Sequence, residues 1–157
     1  MASLPLTVRY QSQPCAPTDP FPNQTVVARP AVKTILERNS KRLPFAFLSV
    51  IDSGADYCIF PATYGEAIGF DVKSGKSQDT QGVAGGDKAY FHTVMVWVEI
   101  NGQPYYFTCW AGFMYSLSSL GLLGRHGFFG LFESVTFKHE AQIVELVPKT
   151  PIAQSTV

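Results

Sequence analysis

Residues Thr93 to Ile100 alternate strictly, with Val94, Val96, Val98 and Ile100 on one side and Thr93, Met95, Trp97 and Glu99 on the other. A period of two is that of a strand with one buried and one open face. Asn101-Gly102 follows at once. That dipeptide suits the two-residue type I′ turn, in which both central residues take positive φ. Tyr105 to Trp110 then resumes as an aromatic-rich strand. A hairpin over Phe91 to Trp110 is therefore predicted. It commits the chain to a sheet whose apolar face must be covered.

The remaining punctuation points the same way. Thr25 to Ala28 and Val32 to Leu36 read as short strands on either side of Pro30, and Glu37 to Arg42 as a charged turn. Phe45 to Ile51 is an apolar strand, and Cys58-Ile59-Phe60 is a second run ended by Pro61. Ala62 to Ile68 predicts a helical turn or two, stopped at Gly69. Phe70 to Lys73 is expected as a short strand and Ser74 to Gln81 as a polar loop. Leu120 to Gly124 is an apolar run closed by glycine. Gly127 to Phe132 suggests a short helix weakened by its glycines, and Val135 to Phe137 with Ile143 to Val147 a last hairpin. Many short strands with little helix make an all-β barrel or sandwich with one or two short helices.

A chain of 157 residues makes one domain with a sizeable core. The expected division is a proline-rich arm over 1–22, extended or disordered, a domain over 23–148, and a polar tail over 149–157. Twelve basic residues balance twelve acidic ones, so there is no clustered positive excess for nucleic acid or a membrane surface. Charged residues are only 15% of the chain, which with the neutral balance leaves room for self-association. No run approaches the roughly 20 apolar residues of a membrane span, and no signal peptide is evident, so a soluble, cytoplasmic protein is expected. Cys15, Cys58 and Cys109 are widely spaced and read as reduced thiols. Cys58, without a nearby cation in sequence, reads as an inert core thiol. His92, His126 and His139 share no ligand spacing, so no metal and no cofactor are expected.

One stretch does not fit a purely structural role. The strand ending Val50-Ile51 runs straight into Asp52-Ser53-Gly54-Ala55-Asp56. A strand that ends on a charge must deliver it to water, to a partner or to chemistry. Gly54 permits a tight turn and close backbone approach, so that the loop presents Asp52.

Three motifs in order resemble the retropepsin-like aspartic proteases, the single-domain relatives of retroviral proteases. Asp52-Ser53-Gly54-Ala55-Asp56 after an apolar strand is similar to the family's Asp-Ser/Thr-Gly-Ala loop. Gly82-Val83-Ala84-Gly85-Gly86, about thirty residues on, resembles its glycine-rich flap tip; no Gly-Lys-Ser/Thr follows, so it is a poor phosphate loop. Leu122-Leu123-Gly124-Arg125 resembles its hydrophobic-hydrophobic-Gly segment. The likeness spans roughly residues 30 to 147 and leaves the N-terminal arm unexplained.

The resemblance implies an acid-protease closed β-barrel and an aspartic endopeptidase. Aspartic proteolysis needs two carboxylates that share a proton, one acting as base on a water and the other polarising the scissile carbonyl. This chain supplies one suitable acid loop. Asp79-Thr80-Gln81-Gly82 is a near miss spoiled by the inserted Gln and the polar run before it. The second carboxylate is then expected from another copy, with two Asp52 residues across a twofold axis. By position, Ser53 would bond across that axis, with Ser53, Gly54 and Ala55 supporting the loop. Gly54 and Asp56 would contact the substrate backbone, and Asp56 would pair with Arg125. Val83, Ala84 and Gly85 would cover the substrate as a flap. Ile51, Val83 and Leu123 would form pocket walls. His126 stands where the family commonly has an acid or amide. The expected partners are a polypeptide substrate and a second copy, with no nucleic acid and no membrane. The alternatives are a catalytically silent peptide- or protein-binding module on the same barrel, or a structural domain that docks through its arm.

Overall fold

The computed structural model describes residues 4–81 and 86–154. Fourteen strands run in order: β1 (Leu6–Arg9), β2 (Gln11–Pro14), β3 (Val26–Arg29), β4 (Ala31–Arg38), β5 (Lys41–Arg42), β6 (Phe47–Ile51), β7 (Ile59–Pro61), β8 (Lys76–Thr80), β9 (Asp87–Ile100), β10 (Gln103–Met114), β11 (Gly121–Leu123), β12 (Phe132–Lys138), β13 (Ile143–Pro148) and β14 (Ala153–Gln154). One α-helix, α1 (Ala62–Ala67), and two 3-10 turns, Val72–Ser74 and Phe129–Leu131, complete the described chain.

The predicted hairpin is β9 and β10, joined by Asn101 (φ 54°) and Gly102 (φ 74°), with Ile100 opposite Gln103. Both turn residues are left-handed, as a type I′ turn requires. Val94, Val96, Val98 and Ile100 are all at most 4% exposed. Burying each such side chain stabilises the fold by about 1.5–3 kcal/mol relative to exposure.

The sheet closes on itself. Strand order β10-β7-β11-β6-β4-β9 returns to β10 through the hairpin, giving a six-stranded barrel. The all-β closed barrel with a short helix is the architecture implied by the sequence. Phe60, Phe113, Phe128, Leu36, Ile51 and Leu123 are among its fully buried side chains. Strand β8 extends the sheet beside β9, and β14 attaches to β10 at Tyr105 and Tyr106.

Two local expectations are corrected. Residues 70–73 do not form a strand; Val72–Ser74 is a 3-10 turn in which Ser74 Oγ donates to the Asp71 carbonyl. It buries Val72 alone while the chain reverses from α1 toward β8. The polar stretch 74–81 is not a loop, because Lys76–Thr80 pairs with β9 from Phe91 to Asp87. An edge strand takes its hydrogen bonds from its neighbour and needs no apolar face of its own.

The proline-rich segment is extended and in part built into the molecule. Strand β1 pairs with β13, and its Val8 is 4% exposed. Strands β2 and β3 form a separate two-stranded hairpin. The sheet β1-β13-β12 packs its Val8, Val144 and Leu146 into the core. Among the described residues, no helix is long and apolar enough to cross a membrane.

Candidate active site

Burial along β6 alternates, with Phe47, Ser49 and Ile51 inside and Leu48 and Val50 half-exposed. Asp52 continues the half-exposed side just beyond the strand. Its backbone N–H donates to the Leu123 carbonyl at 3.1 Å, which ties the strand end to β11. The chain then folds back over its own carboxylate. Gly54 N–H donates to Asp52 Oδ1 at 2.8 Å, and Ala55 N–H donates to the Asp52 carbonyl at 3.2 Å. This is an Asx-type turn, in which the acid side chain replaces a backbone acceptor. One carboxylate oxygen is thereby oriented by the loop itself.

Strand β11 lies parallel to β6 and antiparallel to β7, the two strands that flank the Asp52 loop. The residue after it has to be glycine. A Cβ on Gly124 would stand 2.2 Å from the Tyr57 carbonyl oxygen, 2.4 Å from its carbon and 2.8 Å from the Ala55 oxygen. Because the loop backbone lies against Gly124, the next two residues bond to it. Arg125 N–H donates to the Ala55 carbonyl at 2.9 Å and His126 N–H to the Asp56 carbonyl at 2.8 Å. Arg125 Nη2 also pairs with Asp56 Oδ1. Both side chains are largely exposed, at 60% and 66%, and such a pair contributes at most about 1 kcal/mol. The backbone bonds and the close contact at Gly124 hold the loop, with the ion pair as an addition.

Ser53, Gly54 and Asp56 are exposed and Ala55 is half-buried, so Asp52 to Asp56 form one accessible face. The side chains expected as pocket walls divide differently. Leu123 is 0% and Ile51 2% exposed, so both are core residues. Their neighbours Leu122 and Val50 are paired across β11 and β6 and are half-exposed on the other side. The motif itself carries no signal of which leucine faces out. Only its register against β6 decides, since successive side chains in a strand point oppositely.

The expected flap residues Val83, Ala84 and Gly85 lie outside the described residues. The base of that segment is built by Asp87, which the sequence did not single out. Asp87 Oδ1 accepts the Lys88 N–H at 2.7 Å and Oδ2 the Ser116 N–H at 3.2 Å, while Thr80 Oγ1 donates to the Asp87 carbonyl at 2.8 Å. Hydrogen bonding from the Ser116 side chain, and then from the Lys88 backbone, holds the Asp87 carboxyl below its ordinary range. The Asp87 carboxylate thus ties β9 to the turn leading to β11, while its backbone carbonyl holds Thr80 of β8. Among the described residues, no set of three or more His, Cys, Asp or Glu side chains is placed to hold a metal ion.

No family model and no curated protein matches the chain. Solved structures do. The chain is similar to a retropepsin-like aspartic protease from Rickettsia conorii, at 16% identity over 87% of this chain and 90% of that one, with a TM-score of 0.44. It is also similar to EIAV protease complexed with the inhibitor HBY-793, at 15% identity over 62% of this chain and 82% of that one, with a TM-score of 0.34. At these scores the likenesses carry no chemistry across. The chemical case rests on the geometry around Asp52.

Proposed function

We propose that the chain is one half of a homodimeric aspartic endopeptidase that hydrolyses peptide bonds. The observation that carries this is the Asp52 turn. An accessible carboxylate stands at the end of a barrel strand, oriented by the Gly54 N–H and braced by Leu123, Arg125 and His126. The sequence offers one such loop, so a second copy supplies the other carboxylate. Of the two Asp52 side chains, one takes a proton from a water whose oxygen attacks the scissile carbonyl carbon. The other, protonated, donates to the carbonyl oxygen. The proton held by the base then passes to the departing amine.

In this assignment Ser53 bonds across the axis, and Gly54 presents its carbonyl to the substrate backbone. Ala55 supports the loop through its carbonyl bond to Arg125. Asp56 accepts a substrate N–H while Arg125 orients it. Val83, Ala84 and Gly85 cover the bound peptide. Leu122 and Val50 face it, and Leu123 packs beneath them.

The test is Asp52→Asn, assayed by mass spectrometry on a diverse peptide mixture, with sedimentation run on both proteins. Cleavage should vanish while the dimer persists. Full activity in the variant would overturn the assignment. Binding of a pepstatin-type inhibitor without cleavage between about pH 3 and 7, which spans the upper of the two values of a shared-proton carboxylate pair, would leave a peptide-binding module.

A further inference from the structure

Two buried thiols take no part in the proposed hydrolysis. Cys58 closes the Asp52 loop just before β7, and Cys109 stands in β10, the strand that pairs with β7. They are 0% and 5% exposed. Gly127, at φ +103°, passes against both. A Cβ there would stand 3.2 Å from Cys109 Cβ, 3.3 Å from Cys58 Sγ and 3.6 Å from Cys109 Sγ. The two cysteines therefore converge on one point that glycine leaves open. Cys58 Sγ also lies 3.8 Å from the His126 carbonyl, whose own N–H holds the Asp56 carbonyl.

The two thiols are chemically unlike. The Cys109 thiol faces the Cys58 sulfur across the point that Gly127 leaves open. That contact, with the Gly124 and Phe128 N–H groups, outweighs burial and holds Cys58 below the ordinary thiol range. The same contact and burial push Cys109 up. Cys109 therefore stands where it can resolve an oxidised Cys58.

We propose that Cys58 and Cys109 are a peroxide-responsive dithiol that closes to a disulfide beneath the Asp52 loop. The Cys58 thiolate attacks one oxygen of hydrogen peroxide; the O–O bond breaks, hydroxide leaves, and Cys58 becomes a sulfenic acid. The Cys109 sulfur then attacks the Cys58 sulfur. The S–S bond forms, the S–O bond breaks, and the hydroxyl leaves as water with the Cys109 proton. In sum, two thiols lose two electrons and one peroxide becomes two waters. A small oxidant matches sulfurs this buried, where a glutathione-sized disulfide has no approach. A dithiol reductant that reaches the bridge during local opening returns the pair. The bridge joins the end of the Asp52 loop to β10, directly under the segment 124–127 that is hydrogen-bonded to Ala55 and Asp56.

The full chain is exposed to hydrogen peroxide, quenched, unfolded, alkylated and mapped without reduction. The expected result is joint loss of two of the three thiols, a cross-linked Cys58–Cys109 peptide, a mass two hydrogens lighter, and recovery with dithiothreitol. In Cys109→Ser, Cys58 should stop as a sulfenic acid that dimedone traps. Hydrogen exchange across 124–128 should slow in the oxidised wild type. The proposal is overturned if Cys58 and Cys109 both stay alkylatable while Cys15 is oxidised. It is equally overturned if wild-type Cys58 proceeds to the sulfinic acid with Cys109 still free. The wild-type measurement decides even if the variant does not fold, and none of these readouts depends on peptidase activity.

Discussion

Gly124→Ala tests how the Asp52 loop is held. The added methyl would sit 2.2 Å from the Tyr57 carbonyl oxygen and 2.8 Å from that of Ala55. Both are backbone atoms, so no side-chain rotation relieves the overlap. Reaching an ordinary contact requires the loop to retreat by about 1 Å, an overpacking that costs about 1–3 kcal/mol. The same retreat stretches the Arg125–Ala55 and His126–Asp56 bonds, now 2.9 and 2.8 Å, beyond useful range. Each lost bond adds about 0.5–1.5 kcal/mol. The total, about 2–6 kcal/mol, is large beside the roughly 5–15 kcal/mol that a domain has in all. Urea unfolding should show the midpoint fall by about 1–3 M for a slope near 2 kcal/mol/M. If the protein is the proposed peptidase, kcat should drop by about 10²-fold from a misplacement of that size. A variant unfolding within about 0.3 M of wild type would refute the account, since at that slope the difference is about 0.6 kcal/mol, well below the least cost expected.

Other substitutions probe separate points. Ser49 Oγ is buried, faces Gly121 and finds no hydrogen-bond partner among the described residues; Ser49→Ala should therefore leave stability unchanged or raise it by up to about 1 kcal/mol in denaturant titration. Asp87 is held below its ordinary value of 3.8, so its contribution is present above that value and is lost as pH falls through the lower folded one. The stability gap between wild type and Asp87→Asn should accordingly close on acidification, and a gap independent of pH would count against the Ser116 and Lys88 contacts. Tyr115 donates to Glu66, which raises its hydroxyl to about 12. Its neutral form is the favoured one, so this contact is present below the usual tyrosine range and fades as pH passes about 12. In an absorbance titration one tyrosine should ionise late, and Glu66→Gln should bring it back toward the others.

The long-period elements were legible because their signals are local. Alternation over Thr93–Ile100 and the Asn101-Gly102 turn need only nearest neighbours, and both took the form they predict. Segment 70–73 departs from expectation because the chain reverses there in a 3-10 turn that buries Val72 alone, and segment 74–81 because its state depends on a partner strand that local pattern does not reveal. A polar run becomes β8 when β9 offers its free edge.

For the site, the sequence by itself determined that a carboxylate ends an apolar strand, followed by the residues a tight turn needs, and that one chain carries a single such loop. Tertiary structure alone decided what surrounds it. It turned Leu122 outward and Leu123 inward, because the register of β11 on β6 sets which side each takes. It made Gly124 indispensable, because loop and strand cross there at backbone contact. It also brought together Cys58 and Cys109, distant in the chain, because parallel pairing of β7 with β10 closes the barrel between them. Side-chain period and turn chemistry are written in adjacent residues, whereas approach across a barrel is set by packing of the whole.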